Sequence, residues 1–398
     1  MGVIGYLLFV NRLRVVSKGW LFMRNLVIAF IILVAVVGVI PAINATEPTG
    51  YLSVSGPCNL EFPKDHGPHP GYRTEWWYYT GNLQAESGEN YGFQLTFFRR
   101  QISPSGDRLN WPQPTSAWRT QQVYLAHSAI TNITEKQHLQ AELVSRQALG
   151  MAGANQIEDT TTLFLNNWSA HIGPNQHRLK VDSDRFSYEL ALTPQKPPVL
   201  HGLAGYSLKG STAERASCYY SFTRLDAAGN LSIGGNMVAV KGSAWMDHEY
   251  STALLEPELQ GWDWFSLQLS DQTEVMAFVL RKEKGEIGPA SSATVIDNGG
   301  QNQHISNHEF LVTVRSTWKS PHSKAVYPAG WRLQVFPSQL DLTIMPNLAD
   351  QEMQTSGSTG MIYWEGSVSI EGTRAGRPVV GQGYVELTGY DKAFDAPM

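Results

Sequence analysis

The stretch Phe186-Ser-Tyr-Glu-Leu-Ala-Leu192 alternates apolar side chains with polar or small ones. A period of two is typical of a β-strand that buries one face and exposes the other. Comparable runs, bounded by turn-forming residues, recur at Tyr91–Arg100, Gln122–Thr131, Tyr219–Arg224 and Met237–Tyr250. The pattern predicts a mainly β fold of antiparallel strands. Lys136–Ala152 alone is moderately favourable for a helix.

The composition limits the function classes that need to be considered. The 398 residues include 36 Gly and 21 Pro, 16% of them are charged, and the formal net charge is −5. This length is enough for two domains with sizeable cores. No basic block is interleaved with aromatic residues, so nucleic-acid binding is not expected. The mildly acidic balance also argues against electrostatic docking on anionic membranes.

The N-terminal region has the pattern of a targeting segment. Arg24 precedes an apolar run, Leu26–Ile40, and the small-residue end Ile43-Asn44-Ala45 follows. This arrangement predicts a secretory signal peptide over residues 1–45, for which Met23 is a candidate start. The protein is therefore expected to be exported, to the periplasm or outside the cell, with no stable membrane span after cleavage. The alternative is an uncleaved anchor, although the run is shorter than the ~20 residues that span a bilayer.

A short internal repeat suggests two related halves. Gly242-Ser-Ala-Trp-Met-Asp247 resembles Gly381-Gln-Gly-Tyr-Val-Glu386, and Glu75-Trp76-Trp77 loosely matches Asp263-Trp264-Phe265. The repeat predicts two tandem antiparallel β-barrels packed together, over residues 75–251 and 252–398. Residues 46–74 are expected to form an extended lead-in in which His66 and His69 are solvated.

Two clusters of tryptophans and acids are the candidate functional residues. Because strand side chains alternate, Trp245, Asp247 and Glu249 should share one face, and Met246 and His248 the other. Two neighbouring carboxylates, if buried, would keep one proton, so Asp247 is the candidate general acid, with Glu249 or His248 as base or orienting group. The remaining aromatic and acidic residues of these clusters are expected to shape a ligand pocket: Glu75, Trp76, Trp77, Tyr78, Trp245, Trp262, Asp263 and Trp264.

Plainer interpretations stay open. Asp247 and Glu249 could pair with Arg73, Arg281 or backbone donors, and Glu75 could be a buried acid satisfied by Tyr or Arg. Cys58 and Cys218 could form a disulfide in an oxidising compartment or be two separate buried thiols. No metal motif, nucleotide-binding loop or nucleophilic serine elbow is present, so neither a metal nor another cofactor is expected.

The ordered set of motifs resembles the carotenoid 1,2-hydratase/AttH-like family, in particular its exported "predicted secreted hydrolase" branch. The motifs that carry this resemblance are His69–Asn82, Pro198–Gly202, Gly242–Tyr250, Gly261–Leu269, Tyr363–Gly366 and Gly383–Tyr390. The resemblance implies two lipocalin-like (calycin) barrels with a ligand pocket near their junction, and lipid-like or isoprenoid ligands in some members. Met246 stands where the hydratase branch is expected to have histidine, which argues against carotenoid hydration.

Together these observations predict an exported lipocalin-like protein acting on a lipophilic small molecule, as a cofactor-independent hydratase or hydrolase with carboxylate acid/base chemistry. The alternative is a non-catalytic carrier of such a ligand. The sequence neither identifies the ligand nor gives the oligomeric state.

Overall fold

Strands that pair with one another in antiparallel register make up most of the chain. The computed structural model describes residues 50–253, 255–283 and 285–394, so the predicted signal peptide lies outside the described residues. Two short 3₁₀ helices, Lys64–His66 and Ser105–Asn110, interrupt the β structure. Among the described residues, no helix has the length and apolar character that a membrane span requires.

The first sheet is built from the strands between Thr74 and Ser251. They are β1 Thr74–Ala85, β2 Asn90–Gln101, β3 Gln122–Asn132, β4 Gln137–Arg146, β5 Ala152–Ile157, β6 Thr160–Leu165, β7 Trp168–Ile172, β8 His177–Asp182, β9 Phe186–Pro194, β10 Val199–Leu200, β11 Tyr206–Leu208, β12 Ala216–Ile233 and β13 Asn236–Ser251. Their order is β4-β3-β2-β1-β13-β12-β9-β8-β7-β6-β5, with β10 and β11 beside β12. The sheet curls into a nearly closed barrel, barrel 1, around an apolar core.

The second sheet takes the strands between Leu259 and Leu387. They are β14 Leu259–Leu269, β15 Glu274–Lys282, β16 Ser292–Ile296, β17 Asn302–Ser306, β18 Phe310–Val314, β19 Thr317–Lys319, β20 Val326–Pro328, β21 Trp331–Val335, β22 Leu340–Pro346, β23 Glu352–Gln354, β24 Ile362–Arg374 and β25 Arg377–Leu387. Their order is β17-β16-β15-β14-β25-β24-β22-β21-β18, with β23 beside β24, while β19 and β20 form a separate ribbon. This sheet, barrel 2, encloses its own core.

The predicted mainly β fold with two packed lipocalin-like barrels is confirmed. In each barrel the first strand pairs with the last, β1 with β13 and β14 with β25. Lys136–Ala152, which is moderately favourable for a helix, does not form one, because β4 occupies most of this stretch and pairs with β3 along its whole length. Pairing with a neighbouring strand outweighs a moderate helix propensity.

The two barrels meet through strand faces that carry both apolar and polar contacts. A third apolar cluster, which includes Tyr78, Trp245 and Trp264, fills the junction. Asn82 of barrel 1 donates to the Gly383 carbonyl at 3.1 Å, and Gln268 of barrel 2 donates to the Ala244 carbonyl at 2.9 Å. These reciprocal bonds fix the positions of the strands that supply the residues described next.

Candidate functional site

A cavity of about 160 Å³ lies at the junction of the two barrels. Its inner wall is formed by buried side chains such as Tyr78, Tyr219 and Trp264. Its outer part is formed by half-buried residues, including Trp76, Phe98 and Trp262. The cavity is completed by other residues from both barrels and from connections: Thr74, Thr96, Lys209, Ser217, Ser251, Ala253, Leu255, Phe278, Leu280, Met361, Tyr363 and Phe394. A mostly apolar, concave space with a few polar groups is the usual form of a small-molecule site.

The strand register shows that the two barrels contribute equivalent positions to this cavity. Tyr78 on β1 lies opposite Asp247 on β13, and Trp264 on β14 lies opposite Glu386 on β25. All four residues line the cavity. Each barrel therefore provides one aromatic residue and one acid from its first and last strands, and the two acids meet in one space.

Asp247 is almost completely buried and accepts hydrogen bonds from three side chains. The Tyr219 hydroxyl donates to Oδ2 at 2.7 Å, Trp245 Nε1 donates to Oδ1 at 2.6 Å, and the Ser221 hydroxyl also donates to Oδ1. Burial raises the pKa of Asp247 to about 7, although these three hydrogen bonds oppose the rise. Asp247 can therefore gain or lose a proton near neutral pH.

A neutral histidine orients the Ser221 hydroxyl toward Asp247. His201 Nε2 lies 2.7 Å from Ser221 Oγ, and its Nδ1 lies 2.9 Å from Thr294 Oγ1 of barrel 2. Burial lowers the pKa of His201 to about 3, so the ring is uncharged at neutral pH. Because Ser221 donates to Asp247, Nε2 of the neutral ring must donate to Ser221 and Nδ1 must accept from Thr294. This network therefore fixes the direction of the Ser221 hydroxyl, which donates to Asp247.

Glu365 and Glu386 form a carboxyl pair on the barrel 2 side of the cavity. They are directly opposite each other on β24 and β25, where Cβ atoms are about 4.5–5.5 Å apart. Burial, together with Asp247, raises the pKa of Glu386 to about 8, and burial together with Glu386 holds the pKa of Glu365 well above its usual range. Because adjacent buried carboxylates repel each other, the pair retains at least one proton at neutral pH.

Two buried polar groups on the cavity wall are poorly satisfied. Among the described residues, Tyr78 Oη and Glu365 Oε1 make no well-formed hydrogen bond, although the two groups interact with each other, and both residues line the cavity. Leaving a buried polar atom unpaired costs about 1–3 kcal/mol. A ligand oxygen placed between these groups would remove that cost.

Glu249 is chemically different from Asp247, although both line the cavity. Lys209 Nζ lies 3.0 Å from Glu249 Oε1, and the Ser217 hydroxyl donates to the same oxygen. The Lys209 ammonium also lies 4.1 Å from the centre of the Phe278 ring. Lys209 balances the charge of Glu249, so this acid is a poorer candidate base than the sequence indicated.

The structure places six of the eleven predicted site residues on the cavity. They are Asp247, Glu249, Trp76, Tyr78, Trp262 and Trp264. Trp245 lies behind the wall and acts on the cavity through its hydrogen bond to Asp247. The other four, Glu75, Trp77, His248 and Asp263, do not line this cavity, because they project from the opposite faces of β1, β13 and β14. Asp263 is held instead by Arg281 at 2.7 Å and by Tyr390.

Glu75 and His248 belong to a buried charge network inside barrel 1. Arg99 Nε lies 2.7 Å from Glu75 Oε2, and His69 Nδ1 and His248 Nε2 lie 2.7 Å and 2.8 Å from Oε1. Asp65 and Glu75 together raise the pKa of His69 to about 9 against the effect of burial, and the Arg99 guanidinium holds the pKa of Glu75 well below its usual range. Glu75 is therefore a satisfied buried acid, which was the plainer interpretation.

The same network overturns the expectation that His66 and His69 are solvated. His66 is buried with Nδ1 2.7 Å from the Tyr220 hydroxyl, and His69 stacks on Tyr250 with ring centres 3.7 Å apart. The lead-in folds onto barrel 1 because its histidines satisfy buried groups there.

A metal is a poor occupant of this network. Ligand atoms of His69, Glu75 and His248 lie within 4.8 Å of one another. However, Glu75 already contacts the Arg99 guanidinium, and the protonated His69 has no free lone pair for a metal. The Arg99 guanidinium and the protonated His69 already balance the charge of Glu75 in this network.

The sequence analysis missed the acids and hydroxyls that complete the cavity: Glu365, Glu386, Tyr219, Ser221 and Tyr363. The repeat that aligns Glu386 with Asp247 was the signal that could have identified the second acid. Ser221 and Tyr219 are not recognisable from spacing, since β12 reaches Asp247 only through sheet pairing.

The geometry defines a class: a two-barrel lipocalin-like protein with an acid-containing, aromatic cavity between the barrels. The AttH-like family model matches residues 53–390, and the chain belongs to the AttH-like family. A crystal structure of an AttH protein from Nitrosomonas europaea is 32% identical, with a TM-score of 0.74, over 85% of this chain and 99% of that one.

More distant structures share the fold alone. Kievitone hydratase from Nectria haematococca is 16% identical with a TM-score of 0.62, over 87% of this chain and 98% of that one. CghA in complex with Sch210972 is 14% identical with a TM-score of 0.51, over the same shares of the two chains. Comparison with curated proteins gave no match.

Proposed function

We propose that this protein is an exported, cofactor-independent hydratase or hydrolase that acts on a lipophilic small molecule in the cavity between the barrels. The single observation that carries the proposal is that Asp247 of barrel 1 and the Glu365/Glu386 pair of barrel 2 meet in one aromatic cavity. Their raised pKa values allow a proton donor and a proton acceptor to coexist there near neutral pH.

The hydrogen bonds favour a division of roles between these acids. Asp247 receives three donors, which stabilise its carboxylate form, whereas Glu365 and Glu386 lie opposite each other, and their mutual repulsion favours keeping a proton on that pair. We therefore assign the base to Asp247 and the acid to the Glu365/Glu386 pair. This assignment reverses the role that the sequence suggested for Asp247.

For addition of water to a double bond, the balance of atoms is simple. The acid pair gives a proton to one alkene carbon, and the π electrons form the new C–H bond. Water attacks the other carbon, and Asp247 takes the proton that water releases. The faces of Trp76, Trp262 and Trp264 would shelter the cationic carbon. A proton exchange between the acids through water then restores the starting state.

For hydrolysis, the same groups would act on an ester-like bond. Asp247 would accept the proton of the attacking water, while the Tyr78 hydroxyl and a protonated Glu365 would donate to the developing oxyanion. The acid pair would then protonate the leaving group. Hydrolysis requires a ligand with a polar oxygen beside an apolar body, whereas hydration requires only a double bond in an apolar body; the aromatic wall suits the apolar body in both cases.

Export is supported by two independent features. The sequence has the pattern of a signal peptide, and Cys58 is bonded to Cys218 with an S–S distance of 2.03 Å. Disulfides of this kind are characteristic of oxidising compartments.

The kinship of the fold with a hydratase is consistent with the proposal but fixes no substrate. Kievitone hydratase is similar in fold only, at 16% identity. The carrier alternative keeps one specific observation in its favour, because the hydrogen bonds around Asp247 would equally satisfy a structural acid.

Asp247→Asn separates these possibilities. The protein is incubated with a lipid extract of its producing cell in water enriched in oxygen-18, and the products are analysed by mass spectrometry. Hydration gives one product heavier by one labelled water, and hydrolysis gives two fragments with the label in one of them. The variant should lose turnover at least about 100-fold, as expected for loss of a general base, while native mass spectrometry still finds ligand bound.

Glu249→Gln is the matched control, since this acid lines the same cavity but is balanced by Lys209; it should retain most of the turnover. Recovery of an unchanged lipid from the wild type, with no labelled product, would establish the carrier and refute the enzyme.

A further inference from the structure

The connection between β2 and β3, residues 102–121, exposes large apolar side chains to solvent. Leu109 is 91% exposed, and Ile102 and Trp118 are each 54% exposed. Single exposed apolar residues are ordinary, but three in one projecting loop suggest a surface that is covered in use.

The net negative charge of the whole chain argues against docking on anionic membranes, but this loop is locally basic. Its only acid is Asp107, against Arg108 and Arg119, and these two guanidinium groups lie 5.8 Å and 5.3 Å from the centre of the Trp111 ring. Tryptophan together with arginine is the composition of protein surfaces at the membrane–water interface.

Two further arginines at the base of the loop lack an acidic partner. Within the described part of the chain, neither Arg73 nor Arg100 forms a salt bridge with a carboxylate, and both residues are half-buried. Burial and the neighbouring Arg73 lower the pKa of Arg100 to about 10. Anionic lipid headgroups would complement this cluster, at about 1 kcal/mol for each basic residue near the surface.

The loop leaves the sheet beside the outer part of the cavity. Phe98, which lines the cavity, is four residues before Ile102 on the same strand and its extension. Thr252, next to the lining residue Ala253, donates to the Leu52 carbonyl, and Leu52 is itself an exposed apolar residue. The outer end of the cavity and the exposed apolar loop therefore share one end of barrel 1.

The first described residue, Gly50, lies against this loop, since a Cβ there would lie 2.8 Å from Pro104 Cγ.

We propose that residues 102–121 dock on an anionic phospholipid bilayer, with Leu109 and Trp118 in the headgroup region and the arginines on lipid phosphates. The outer end of the cavity would then lie beside the membrane. The docking does not depend on the proposed function, although a lipophilic substrate could use this route from the bilayer.

A nitroxide label at Leu109→Cys tests the docking, and Ile157→Cys, on a 72% exposed apolar residue of the β5–β6 hairpin, is the matched control. The two native cysteines are bonded to each other, so only the introduced thiol reacts. The labelled full-length protein is mixed with vesicles of phosphatidylcholine and phosphatidylglycerol (7:3). The expected result is that the label at 109 becomes accessible to oxygen and several-fold less accessible to a water-soluble nickel chelate, whereas the label at 157 does not change.

A label at 109 that stays fully accessible to the chelate would overturn the proposal, as would equal burial of both labels. An equal loss of chelate accessibility at position 109 with vesicles of phosphatidylcholine alone would overturn the choice of anionic headgroups. Docking without any turnover would refute the proposed enzyme and leave the docking in place, so the two failures are distinguishable.

Discussion

Asp247 and Glu249 lie two residues apart on the same face of β13, but their partners make them chemically different. Neutral donors surround Asp247, so burial still raises its pKa to about 7. Glu249 instead lies 3.0 Å from the Lys209 ammonium and forms an ion pair with it. Two acids that the sequence treats as a pair are thus one proton-exchanging group and one member of an ion pair.

Glu75 shows how a buried acid can be important for stability without lying at the candidate site. Glu75→Gln would leave Arg99 and the protonated His69 without their shared carboxylate in the interior. Removing one partner from a buried ion pair costs about 3–5 kcal/mol. Urea denaturation should show a loss of that size, whereas Asp341→Asn, in the exposed pair with Arg332, should change the unfolding free energy little. An unfolding free energy unchanged by Glu75→Gln would contradict the structural role.

At the scale of elements, the lead-in is fixed to barrel 1 by a covalent bond and by ionic contacts. Cys58 is bonded to Cys218 of β12 across 160 residues of sequence. His69 joins Asp65 of the lead-in to Glu75 of β1. These links turn a segment without sequence periodicity into an ordered part of the fold.

The disulfide should make a large contribution to stability, since closing a long loop restricts the unfolded chain. The double variant Cys58→Ser, Cys218→Ser should lose about 2–5 kcal/mol of unfolding free energy. Urea denaturation with and without reductant measures this loss, and reduced wild type should match the variant. Insensitivity of the wild type to reductant would show that the bond does not stabilise the protein.

The His69 contacts predict a loss of stability at alkaline pH. The folded pKa of His69 is raised to about 9 by Asp65 and Glu75, whereas an unfolded histidine has a pKa of about 6.5. Its contribution is therefore fully present below pH 6.5 and is lost as the pH rises through about 9. The urea concentration at the unfolding midpoint should decrease as the pH is raised from 7 to 10. This decrease should be smaller in His69→Gln. An equal slope in the variant would exclude His69 as the cause.

The alternation of side chains along strands explains both what the sequence could predict at this scale and what it could not. Alternation correctly grouped Trp245, Asp247 and Glu249 on one face. It also placed His248 on the opposite face, yet nearness in sequence kept His248 among the candidate site residues. Local pattern cannot show which strand pairs with which, so the donors from β12 became visible only in the sheet register.

At the scale of the whole molecule, the cavity exists because the same strand arrangement occurs twice. The repeat identified the correct last strands, since Asp247 and Glu386 occupy equivalent positions on β13 and β25. For the first strands, the loose match of Glu75-Trp76-Trp77 with Asp263-Trp264-Phe265 aligns Trp76 with Trp264. The strand pairing instead makes Tyr78 the equivalent of Trp264, two residues further along. A displacement of two keeps the faces correct, so the tryptophans of β14 were still placed on the cavity.

Because the acids come from both barrels, the pH dependence of turnover tests their cooperation. The base Asp247 must be ionised, so kcat/KM should rise with pH through about 7, the pKa to which burial raises it. The acid pair must hold a proton, so kcat/KM should fall through about 8, where the pKa of Glu386 lies. The expected profile is a narrow bell with its maximum between these values, and both limbs belong to the coupled set of acids rather than to single residues.

Measured on the labelled-water reaction, Glu386→Gln should lower the maximum and displace the alkaline limb, whereas Glu249→Gln should leave both limbs in place. A profile that is flat from pH 6 to 9 would show that these carboxyls do not transfer the protons of the reaction.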